Sequence, residues 1–166
     1  KWKTSILELH SIRKRYPKGE SQQKIDIIFA EYLFKSGNIE RFKLLFSTKL
    51  STILAQSRDV LFRLNRIRFE YELASQKWQQ ARLTADSSLR LLRKNRNNAR
   101  SSLIYQDVSR LYMSMSMRDS AFWASDRAIS FAKRSQKREV LVQALQNQAR
   151  NYGYFLDLES AVQKEL

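Results

Sequence analysis

Residues 105–128 read YQDVSRLYMSMSMRDSAFWASDRA, two helical patterns separated by a short polar break. Tyr105, Val108, Ser109 and Tyr112 recur at three and four residues, the spacing of one helix face, and Ala121 and Ala128 mark a second helix beyond the Met-Ser run. The same arrangement returns along the chain. Tyr112 belongs to a column with Tyr32, Tyr71 and Tyr152, set at near-equal intervals. Seven residues before each stand Ile25, Leu64, Tyr105 and Leu145, and nine or ten after each stand Phe42, Ala81, Ala121 and Ala161. Three columns with one period predict a helix-turn-helix unit written four times, stacked as a solenoid whose general use is to hold another molecule.

The rest of the chain fits this frame. An opening helix is predicted over about residues 1–17, stopped by Pro17 and Gly19, and the four units over about 22–55, 59–95, 99–135 and 138–166, for about nine helices. With three Gly, one Pro and 43% hydrophobic residues in 166, the composition predicts an ordered all-α domain. No apolar run reaches the eighteen or so residues of a membrane span. The chain opens on a helical pattern without Met, and its last unit stops after about two turns of a second helix, so the domain is expected to be excised from a larger protein. The compartment stays open, with the cytoplasm favoured.

The columns resemble the tetratricopeptide repeat family, most clearly in Tyr105, Val108, Ser109, Tyr112, Ala121 and Ala128, and again in Leu145, Ala149, Tyr152 and Ala161. The period of about 40, against about 34 for the common repeat, is similar to arrays in bacterial signalling and transcription-regulating proteins. Phe42 stands where the family favours a small residue, and units one and two carry one extra residue between the Tyr and the second-helix site. The resemblance implies a right-handed superhelix and a non-catalytic protein-interaction module, part of a larger signalling or regulatory protein.

It also implies a concave groove lined by the first helix of each pair, on positions six and two residues before the Tyr column. These are Asp26, Asn65, Gln106 and Gln146, then Ala30, Phe69, Arg110 and Arg150, with Tyr154 nearby. Side-chain amides can pair with an extended backbone, and the two Arg can fork onto a carboxylate, which predicts a peptide ligand with an acidic preference. Polar residues that only keep a helix face wet give the competing reading.

Formal charge is +15, from 31 Lys and Arg against 16 Asp and Glu, so anionic partners are favoured. Arg13 and Lys14, then Arg93, Lys94 and Arg96, then Lys133, Arg134, Lys137 and Arg138 recur near helix exits, predicting a basic edge for a phosphate backbone. Cations at helix C-termini also answer the macrodipole, which leaves capping as the alternative. Self-association through uncapped solenoid ends, giving a homodimer, is a further expectation.

Catalytic constellations are absent from the pattern. His10 is the only histidine, there is no cysteine, and Gly19, Gly37 and Gly153 are too scattered for a phosphate-cradling loop. No cofactor or metal is implied. Met113, Met115 and Met117 are read as plastic packing at a hairpin ahead of a methionine-rich recognition face, and Trp78 and Trp123 first as core, with the convex side as the alternative for Trp123.

Overall fold

The computed structural model describes Ser11 and residues 20–48, 58–93 and 97–165; residues 20, 35, 48, 93 and 157–165 are described by backbone alone. The expected opening helix lies outside the described residues, apart from Ser11. The described residues form seven helices and no strand: α1 (Glu20–Lys35), α2 (Ile39–Thr48), α3 (Arg58–Ala74), α4 (Trp78–Arg93), α5 (Asn98–Ser114), α6 (Arg118–Ser135) and α7 (Arg138–Glu165). The chain is all-α. It divides into two compact units, residues 1–71 and 72–166.

Three turns share one backbone device. Gly37, Gln76 and Ser116 take left-handed φ of 73°, 56° and 54°. In each, the N–H of the left-handed residue closes on the carbonyl three back (Phe34, Leu73, Met113), and the next N–H closes on Leu33, Glu72 or Tyr112. These bonds use up carbonyls that a helix end leaves unpaired and reverse the chain within three residues.

From Gly37 to Gln76 to Ser116 the turns recur at an almost constant interval, and this interval corrects the register read from the tyrosines. Tyr32, Tyr71 and Leu111 each stand five residues before their left-handed residue, so Tyr112 is one place late. Leu111 is fully buried while Tyr112 is half-buried. The first column becomes Ile25, Leu64, Ile104 and, one period further on, Ala144, of which the last three are buried. Phe42, Ala81 and Ala121 were already in phase. The extra residue that units one and two seemed to carry disappears, because Leu111 precedes Ala121 by the same ten residues that separate Tyr32 from Phe42.

The fourth unit does not fold back. Where a turn near residue 156 would pair two helices, α7 continues unbroken for 28 residues. The place one period after Ser116 is held by Leu156, a bulky residue for which left-handed backbone is costly.

In the first unit, α1, α2 and the body of α3 close on Ile27, Leu33, Phe42, Leu45, Phe46, Val60, Leu64 and Ile67. Its centre is aromatic. The Phe42 ring meets Phe34 edge-on at 5.2 Å, and Phe46 stacks on Tyr71 at 4.7 Å with 16° between planes. Ring pairs of this geometry add to what their buried area alone contributes.

The second unit packs on small side chains. Ala121, Ala124, Ser125, Ala128 and Ala132 form the buried stripe of α6, and Ser101, Ser102 and Ser109 are buried on α5. Helix α5 starts on Asn97, whose side chain accepts the Arg100 N–H at 3.1 Å. Buried hydroxyls are satisfied locally, Ser125 donating to the Phe122 carbonyl and Ser88 to the Thr84 carbonyl. Larger rings flank this stripe, with Tyr105 stacked on Phe131 at 5.4 Å and Phe122 beside Tyr152 and the buried Phe155.

Candidate partner-binding face

One polar knot fixes the arrangement of α5, α6 and α7. The fully buried Asn151 of α7 donates through Nδ2 to Ser109 Oγ of α5 at 2.8 Å and to the Ala121 carbonyl of α6 at 3.2 Å. Ser109 Oγ in turn donates to the same carbonyl at 3.0 Å. Seven residues along α5, Ser116 Oγ in the turn meets the Tyr154 hydroxyl of α7 at 3.2 Å. Both contacts advance in the same direction along the two helices, so α5 and α7 lie side by side and parallel.

Helical rotation then places the neighbouring side chains. Ser109 and Asn151 both point toward α6, since both reach its Ala121 carbonyl. Arg110 follows Ser109 by one residue and Arg150 precedes Asn151 by one, and one residue is about 100° of rotation. Because the helices are parallel, the two rotations have opposite sense and carry both arginines to the face away from α6. Gln106 and Gln146 stand one turn before them. Arg150 and Gln146 are exposed, and Arg110 and Gln106 half-buried.

Electrostatically this face is basic but braced. Arg110 Nη2 donates to Asp107 Oδ1 at 2.7 Å, and Asp107 is itself buried. The carboxylate orients the guanidinium. Gln106 Nε2 donates to Ser102 Oγ at 3.3 Å. Tyr154 is committed to the Ser116 bridge and packs edge-on against Phe155, so it fastens α7 to the α5–α6 turn.

The two groove residues expected in the second repeat do not belong to such a face. Asn65 is 4% exposed and Phe69 2%, inside the first unit. Asp26 and Ala30 are buried as well. In the second repeat the cause is the one-residue register slip: counted from the turns, the places equivalent to Gln106 and Arg110 are Arg66 and Glu70, both half-buried; in the first repeat the equivalent of Gln106 is Ile27, which is itself buried. Spacing measured between left-handed turn residues, not between tyrosines, is the signal that finds them.

Of the basic edge, Arg13, Lys14, Lys94, Arg96 and the Arg93 side chain lie outside the described residues. Lys133, Arg134, Lys137 and Arg138 are exposed around the α6–α7 turn. Lys133 and Arg134 occupy the last turn of α6, where cations favour the helix dipole. Arg134 is also held, its guanidinium 5.6 Å from the Phe131 ring centre and its carbonyl accepting from Asn98.

Two hollows open in the second unit. One, of about 540 Å³, is lined by Leu89, Leu92, Tyr105, Phe131 and Arg134. The other, of about 570 Å³, lies between successive turns against Trp78, Tyr112, Met115 and Met117. Trp123, expected in the core, is 50% exposed with Arg127 over its ring at 5.8 Å. The two methionines are exposed at the turn, and Trp78 is half-buried. Among the described residues no cluster of His, Cys, Asp or Glu could hold a metal ion, and no helix is long and apolar enough to cross a membrane. His10 lies outside the described residues. No family model, no curated protein and no solved structure matches the chain.

Proposed function

We propose that this chain is a non-catalytic, tetratricopeptide-like interaction module of a larger signalling or regulatory protein, and that α5 and α7 receive an acidic peptide segment of a partner. The observation that supports the reading is the parallel pairing of these helices through Asn151–Ser109 and Tyr154–Ser116, with Arg110 and Arg150 each one residue from the knot and Gln106 and Gln146 one turn before them. Arginine forks suit carboxylates, and amides suit the backbone between them. A right-handed solenoid is the architecture in which such a face continues from repeat to repeat. The test is binding of fluorescent acidic peptides to the chain. Arg110→Ala with Arg150→Ala is expected to weaken the best binder at least ~10-fold, a loss of about 1.4 kcal/mol. An unchanged affinity sinks the reading.

A second reading, nucleic-acid binding, draws on the exposed Lys133, Lys137 and Arg138 at a single turn. It predicts duplex binding with a steep salt dependence, reduced by Lys133→Ala with Arg138→Ala and untouched by the Arg110 and Arg150 changes.

A further inference from the structure

The face of α7 that turns away from α5 is apolar from Val142 to Leu156. Val142, Leu145, Tyr152 and Leu156 are between 44% and 56% exposed, and Ala149 between them is exposed too. Their spacings are three, four, three and four, the heptad seam of a helix that packs on another helix. The contacts α7 makes within the unit leave from other positions: Gln148 to Asp126, Asn151 to Ser109, Tyr154 to Ser116, Phe155 to Phe122. Tyr152, on the seam, meets the Phe122 ring at 4.6 Å and remains 54% exposed. The corrected register explains the seam. Leu145 and Tyr152 look like core positions when counted from the tyrosines, but Ala144 and Asn151 take the buried places and leave both on the outside.

We infer that this seam is an isologous interface, and that its occupant is α7 of a second copy of the chain, packed antiparallel. Two observations choose that occupant, and a third makes it compatible with the proposed peptide site. First, the seam has nearly the same spacing read in either direction about Ala149, so one copy is the complement of another turned end for end, as a two-fold interface requires. Second, residues 140–156 hold one charged residue, Arg150, in a chain that is 28% charged with a formal charge of +15. Two such cations repel wherever their charged faces meet, and this is the stretch along which they approach without doing so. Third, Arg150 turns to the α5–α7 face and not into the seam, so association leaves the proposed peptide site open. Small residues near the centre, Ala149 and Gly153, let the two backbones come close, and no group lies within 4 Å of a Cβ built at Gly153.

The experiment is light-scattering mass and sedimentation across a concentration series. The mass of the wild-type chain is expected to rise from 19.7 kDa toward twice that value. Raising salt from about 0.05 to about 0.5 M is expected to increase the dimer, because it screens the repulsion of two +15 chains without weakening an apolar seam. Leu145→Glu with Leu156→Glu is expected to hold the chain at the monomer mass with its helical circular dichroism intact, as both positions are surface. The sequence contains no cysteine, which allows a direct geometric readout. Ala149→Cys is expected to form an intermolecular disulfide under mild oxidation, whereas Val142→Cys, near one end, forms one only in a parallel pair. A chain that stays monomeric at all concentrations and salts overturns the inference. So does a dimer that survives the double Glu change, or one that Val142→Cys links as readily as Ala149→Cys.

Discussion

The first unit is built around rings and the second around methyl and hydroxyl groups. Phe42 stands five residues after its turn, and Ala81 and Ala121 stand five after theirs. In the first unit that place is filled by a ring with Phe34, Phe46 and Tyr71 against it. In the second, Ala121 presents little more than its backbone, and its carbonyl becomes the acceptor for both Ser109 and Asn151. Equivalent positions in one repeat thus do different physical work. An aromatic core draws stability from buried area and dispersion, and tolerates an imperfect polar pattern. A small-residue core needs close approach and directional bonds, and in return fixes the relative placement of its helices.

The comparison breaks first at Phe42. Phe42→Ala is expected to cost about 3–5 kcal/mol, since the surrounding rings can collapse only in part; a denaturant midpoint shift much smaller than this would mean that the aromatic cluster repacks around the gap. The converse change in the second unit, Ala121→Leu, adds bulk where there is no space and is expected to cost about 1–3 kcal/mol. If it instead stabilises the chain, the small-residue contact is loose. Asn151→Ala comes next. It removes both bonds to α5 and α6 from a fully buried position, at about 1–3 kcal/mol, and pairing it with Ser109→Ala in a double-mutant cycle should show strong non-additivity. The smallest effects are at the turns. Gln76→Gly is expected to stabilise and Gly37→Ala to destabilise, each by roughly 1 kcal/mol, because the left-handed backbone disfavours a Cβ. No atom lies within 4 Å of a Cβ built at Gly37, so the change there measures the backbone alone.

Much of the fold was legible in the sequence, and the failures have a common cause. Helical periodicity was enough for the all-helical class and for the turns around Gly37, Gln76 and Ser116. Phase was the difficulty. At Leu111–Tyr112 and Ala144–Leu145 two apolar residues stand side by side, and a hydrophobic pattern cannot say which of such neighbours faces inward when the helix has an exposed outer edge. Choosing the aromatic at 112 and 152 shifted the third and fourth repeats by one residue relative to the first and second. The same counting rule therefore read two different helix faces. In the second unit it reached Arg110 and Arg150, on the face away from α6, and in the first it reached Asn65 and Phe69, in the interior. The missing final turn had a quieter signal, the absence at residue 156 of a side chain that takes left-handed backbone readily. The knot at Asn151 was not legible, because an Asn in a helical pattern gives no indication that its partner will be Ser109, two helices earlier in the chain.

The unbroken course of α7 has a mechanical consequence. A hairpin is a spring whose two arms move against each other at the turn, whereas 28 residues of continuous helix, about 42 Å at ~1.5 Å per residue, act as a rod. Clamped along one side by Asn151 and Tyr154, such a rod transmits a tilt or twist applied at either end with little loss. One torsion angle, left-handed at Ser116 and helical at Leu156, separates the spring from the rod.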